Sequence, residues 1–92
     1  SPEGVVVSPD GENVYVAAFA TGAIDVLDRR GKSGVVAQKP GRAGCVAPSS
    51  VPGCSPGRAL RGVSSLAVSP DGRNVYATAF GGNALDVFRR IR

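Results

Sequence analysis

The sequence predicts an all-β fold of repeated antiparallel meanders, and three observations carry the prediction. The first is repetition: Val7-Ser8-Pro9-Asp10-Gly11-Glu12-Asn13-Val14-Tyr15 returns as Val68-Ser69-Pro70-Asp71-Gly72-Arg73-Asn74-Val75-Tyr76. Between 7–29 and 68–90, 14 of 23 residues are identical at a constant offset of 61. Repetition at that density counts structural units, each needing a neighbour to bury its apolar face. The second is period-two alternation among β-branched residues, which opposes helix. The third is punctuation: 13 Gly and 7 Pro fall between those alternating stretches, as turns fall between short strands, which also argues against disorder.

The elements follow in order. Gly4 to Val7 reads as a first strand, with Val63 to Val68 as its counterpart. Ser-Pro-Asp-Gly then makes a four-residue turn, in which Pro pre-sets φ, Asp favours the third position and Gly absorbs a positive φ at the fourth. Asn13 to Ala18 and Asn74 to Ala79 return as second strands, with Val14 and Val16 on one face and Tyr15 and Ala17 on the other. After a small loop (Ala20-Thr21-Gly22, or Gly81-Gly82-Asn83), Ala23 to Leu27 and Ala84 to Phe88 are third strands. Val35 to Gln38 is a fourth.

Four antiparallel strands in a meander form a propeller blade, yet 61 residues exceeds the roughly 40–50 of a common blade. The excess lies in Pro40 to Leu60, 21 residues holding four of the seven prolines, both cysteines and no apolar alternation. The sequence thus divides into a first blade at 1–38, a Pro/Gly-rich excursion at 39–62, and a second blade at 63–92. The second has three strands and reaches Ile91-Arg92 where its fourth is expected. Two blades do not close a ring, so the expected partners are further copies of the chain, three giving six blades, or a longer parent chain.

The repeat V-S-P-D-G-x-N-V-Y-x-x-A-F, followed by A-[IL]-D-V-[LF], resembles the YVTN/lactonase-like β-propeller family. It is most similar to bacterial secreted members with a Gly-Cys insertion before an Arg-Ala-Leu segment, here Gly44-Cys45 and Arg58-Ala59-Leu60. The resemblance covers both repeats and the excursion. It implies a propeller fold and admits two functions: a binding or structural scaffold, or a hydrolase of small cyclic esters. It does not choose between them, because function resides in sites grafted onto such folds. Asp25 and Asp86 depart from the family pattern, in which small or apolar residues are usual at that strand position.

Cys45 and Cys54 flank an eight-residue loop, and pairing them closes a ring of about ten residues. Two free thiols and half of a metal site are the competing readings. Zinc is opposed by the lack of histidine, of a second cysteine pair and of the short two-cysteine spacing. A disulfide implies an oxidising compartment, hence a secreted or cell-surface location. No apolar run approaches the roughly 20 residues of a membrane helix, and no basic start with an apolar stretch marks a leader.

Function is sparsely written. With no histidine, the commonest general base and the usual triad are missing, and no serine sits in a nucleophile elbow, so the residues argue against an enzyme. No cofactor motif is present. Asp25 and Asp86 recur at equivalent strand positions and are candidate ligand-binding residues, against the plainer reading of hydrogen bonds to neighbouring backbone. Seven basic residues from Arg29 to Arg61, with no acid until Asp71, make Arg42 and Arg58 candidates for an anionic ligand. The plainer reading there is a solvated loop face. Nucleic acid is disfavoured because no aromatic interleaves that segment. Tyr15, Tyr76, Phe19 and Phe80 are expected in the core between blades.

Overall fold

The computed structural model describes residues 2–19, 22–30, 34–47, 52–57, 62–80 and 84–90, and they form an all-β chain of two sheets. In the first sheet, β1 (Pro2–Val7), β2 (Asn13–Ala18), β3 (Ala23–Arg30) and β4 (Val35–Gln38) run as an antiparallel meander. The second sheet is β7 (Val63–Val68), β8 (Asn74–Ala79) and β9 (Ala84–Arg89), again antiparallel. Ile91 and Arg92, where a fourth strand is expected, lie outside the described residues.

The repeated turn behaves as its residues dictate. The Gly11 amide donates to the Ser8 carbonyl at 2.8 Å, and the Gly72 amide to that of Ser69 at 2.8 Å. Both glycines take a left-handed φ, 75° and 74°, where a side chain would be strained. Asp10 accepts from the Ser8 hydroxyl at 2.6 Å and the Glu12 amide at 2.9 Å; Asp71 accepts from the Ser69 hydroxyl at 2.6 Å and the Arg73 amide at 3.0 Å. Each turn therefore sets the register of the hairpin that follows, Val7 opposite Val14 and Val68 opposite Val75.

The excursion, which has no apolar alternation in sequence, nevertheless contains two short strands. A 3-10 turn, Gly41–Gly44, leads into β5 (Cys45–Ala47), and β6 (Ser55–Pro56) lies parallel to β5. β5 pairs with the first part of β3, Ile24 opposite Val46, while β4 pairs with its last part, Leu27 to Arg30. The two short strands share one edge of β3, so the excursion satisfies backbone that β4 alone leaves open.

The sheets face each other and bury one cluster: Tyr15, Ala17, Ile24 and Val26 from the first, Val63, Val75, Ala77 and Ala79 from the second. Because successive side chains alternate faces, these two sets come from opposite faces of the repeat. Tyr15 and Ala17 match Tyr76 and Thr78 in repeat position, whereas Val75 and Ala77 match Val14 and Val16. The contact is head to tail. Full burial of a residue such as Ile24 or Val75 contributes about 1.5–3 kcal/mol.

β1 packs closely on β7, and Gly4 permits it: a Cβ there would stand 2.7 Å from the Ser64 carbonyl oxygen. Gly4→Ala is expected to push the sheets apart and lower stability by about 1–3 kcal/mol, read as a lower urea midpoint at unchanged slope.

Of the four aromatics expected between blades, the chain itself buries one. Tyr15 is buried, but Phe19, Tyr76 and Phe80 are 40%, 36% and 84% exposed. Their positions in the repeat suit burial, but among the described residues only the face between the two sheets has a neighbour to cover it.

Candidate functional site

Among the described residues, the densest polar arrangement spans the two sheets at the end of β9. Arg90 has a side chain with no exposed surface and sits just beyond the last paired strand residue. Its Nη1 donates to the Gly72 carbonyl at 3.0 Å, inside its own repeat. Its Nε and Nη2 donate to Asn13 Oδ1 at 3.2 and 2.7 Å, and Nη2 also meets Asp10 Oδ1 at 2.8 Å, both in the other sheet. Asn13, itself buried, continues the chain: Nδ2 donates to the Leu27 carbonyl at 3.2 Å and to Asp28 Oδ1 at 3.0 Å. Lys39 Nζ pairs with the same Asp28 oxygen at 2.7 Å. A guanidinium suits this position because its planar fork reaches three acceptors at once.

Electrostatics follow this geometry. Asp10 is held well below the usual carboxylate range, first by the Ser8 hydroxyl and next by the Glu12 amide; burial opposes them, and Arg90 adds a further lowering. Asp71 is also lowered, by the Ser69 hydroxyl and the Arg73 amide first, with no buried guanidinium among the causes. Tyr15 is pushed up by burial, opposed by the nearby Arg90 charge, and its hydroxyl has no hydrogen-bond partner among the described residues.

Beside this network is a half-open cleft of about 120 Å³, walled by Tyr15, Val26, Val46, Pro56, Phe88 and Arg90. Its far wall belongs to the excursion. The volume is below the roughly 150 Å³ of a cavity that admits benzene, and well below an ordinary substrate pocket. A wider depression nearby is lined by Gly72, Arg73, Arg89 and Arg90.

The residues singled out from the sequence do not converge. Cys45 and Cys54 form a disulfide, Cα to Cα 4.9 Å, tying the start of β5 to the residue before β6. Arg42 is exposed in the 3-10 turn, its carbonyl accepting from the Ser55 hydroxyl at 2.9 Å, and Arg58 lies outside the described residues. Asp25 stands opposite Val16 and Cys45 on the outer face of the first sheet, and the Gln38 amide reaches it at 3.4 Å. Asp86 stands opposite Ala77 on the face that meets the first sheet. Its Oδ2 is buried with no partner among the described residues, and burial raises its pKa. No ion pair joins Arg42 to either aspartate, and no group of three metal-ligating side chains occurs, among the described residues.

Removing the Asp86 charge is therefore expected to help the fold. A raised folded pKa means that the penalty is absent at acid pH and grows as pH rises through it. Asp86→Asn is expected to raise Tm at neutral pH, with the advantage disappearing in acid.

Sequence reasoning missed Arg90, Asn13 and Asp28. One signal was present: Arg29 and Arg90 match at the repeat offset, each 18 residues after the turn glycine. Comparison with protein-family models finds no match to this chain, and comparison with curated proteins finds no relative.

Proposed function

We propose that the chain is a non-catalytic β-propeller repeat module, a binding or structural scaffold whose two sheets are blades and which completes its ring by association with further copies, three chains giving six blades. The observation that carries this reading is the contrast between equivalent residues. Tyr15, Ile24 and Val26 are 2%, 0% and 6% exposed, while Tyr76, Leu85 and Val87 are 36%, 63% and 55% exposed. The same repeat positions are covered in the first sheet and open in the second. On the opposite side of the molecule, Val5 and Val7 lie open at 66% and 48%. Apolar side chains open on one sheet face mark an interaction site, and heterologous contacts between such faces close into rings when the rotation permits.

The lack of histidine and the separation of Asp25 and Asp86 onto two sheets give the ester-hydrolase alternative no support. The disulfide favours an oxidising location, secreted or at the cell surface. No helix among the described residues is long and apolar enough to cross a membrane. Association makes stability depend on protein concentration. Tm is expected to rise with concentration; a Tm indifferent to concentration counts against the reading.

A further inference from the structure

We infer that two copies of this chain dock through a second instance of the Arg90 network, with Arg29 of one copy as donor and Asp71 with Asn74 of the other as receptor. The inference rests on the proposed self-association and names the contact that specifies it.

Arg29 occupies in the first repeat the place of Arg90 in the second, and it is already posed like it. Its Nη1 donates to the Gly11 carbonyl at 3.1 Å, as that of Arg90 donates to Gly72 at 3.0 Å. The Arg29 amide donates to Glu12 at 2.8 Å, as the Arg90 amide donates to Arg73 at 2.8 Å. What differs is the far side. Nε and Nη2 of Arg90 meet Asn13 and Asp10 of the neighbouring sheet, whereas Arg29 alternates with Ile24 and Val26 and so lies on the face of the first sheet turned away from the second.

The receptor is also present. Asp71 and Asn74 repeat Asp10 and Asn13, and their turn has the same internal bonds: Ser69 to Asp71, and the Asn74 amide to Ser69 at 3.1 Å. Around the receptor lie Tyr76, Leu85 and Val87, the apolar face left open on the second sheet. Around the donor lie Val5 and Val7, open in the same way. The occupant that fits each face is thus a second copy of the chain. The contact between the two sheets supplies the pattern, apolar against apolar with one guanidinium crossing.

The receptor differs in one respect. Arg89 stands where Asp28 supports Asn13, since Asn13 pairs in register with Asp28 and Asn74 with Arg89. The second receptor therefore lacks one carboxylate, and Arg89→Asp is expected to tighten association at least several-fold.

The test uses two variants, Arg29→Glu, which spoils only the donor face, and Asn74→Lys, which spoils only the receptor. Both positions are outside the packed interior, and far-UV circular dichroism checks that each variant folds. Each alone is expected to lose the wild-type assembly. Mixed in equal amounts they are expected to give a dimer that grows no further, because one intact donor face meets one intact receptor. Wild-type size retained by both folded variants, or a mixture that stays monomeric, overturns this contact while leaving self-association standing. A wild-type chain that is itself a folded monomer overturns both.

Discussion

Arg90→Ala is expected to cost the folded chain about 3–5 kcal/mol, the loss typical of removing one partner from a buried charged network. The magnitude follows from what is left behind. Asn13 Oδ1, on a residue 1% exposed, loses both its guanidinium bonds, and the Gly72 carbonyl loses a third. A chain of this size has only about 5–15 kcal/mol of stability to lose, so the variant should be close to unfolding in mild denaturant. Arg90→Lys should recover part of the loss, since a lysine keeps the charge but reaches fewer acceptors. An unfolding free energy within about 1 kcal/mol of wild type would show that the network is incidental.

Asp10, held first by its own turn through the Ser8 hydroxyl and the Glu12 amide and then by Arg90, makes stability depend on pH. The folded-state pKa of Asp10 lies below its ordinary value of 3.8. Its contribution is therefore fully present above that value and is lost as pH falls below it toward the depressed folded value. Between about pH 4 and pH 2, wild type should lose stability more steeply than Asp10→Asn.

Breaking the Cys45–Cys54 bond is expected to cost about 2.5–3 kcal/mol on loop-closure grounds, through Cys45→Ser with Cys54→Ser or through a reductant. The loss should be local in character. The disulfide sits where β5 and β6 start and holds them parallel, Val46 opposite Ser55, along the edge of β3. Without it the excursion should detach from that edge, exposing Val46 and removing one wall of the cleft, while the two meanders persist. Hydrogen exchange is expected to speed up at Cys45–Ala47 and Ile24 and to change little at Asn74–Ala79. Unchanged unfolding in reductant would contradict this.

The meanders were legible in the sequence because their signals are local. Alternation at Asn13–Ala18, the Ser8–Gly11 turn and its copy at Ser69–Gly72 each depend on neighbours within a few residues, and the structure places strands and turns there. The disulfide was legible from spacing and from the absence of any competing ligand set. β5 was not, because three residues beside prolines carry no alternation; it is a strand only because β3 offers an open edge. Arg90 reads in the sequence as one more basic residue after a strand, and its role appears only when 77 residues of separation are folded away to bring Asn13 beside it. Tyr76 and Phe80 show the converse. Their types promise burial, but burial is granted by a neighbouring sheet, and the second sheet has none on that side.

The central claim is that the open face of the second sheet and the open face of the first are made for each other. The molar mass of the wild-type chain in solution, by light scattering, tests it most directly. The account predicts a discrete assembly of about three 9.3 kDa chains. A folded species of one chain mass that persists as concentration rises would contradict it.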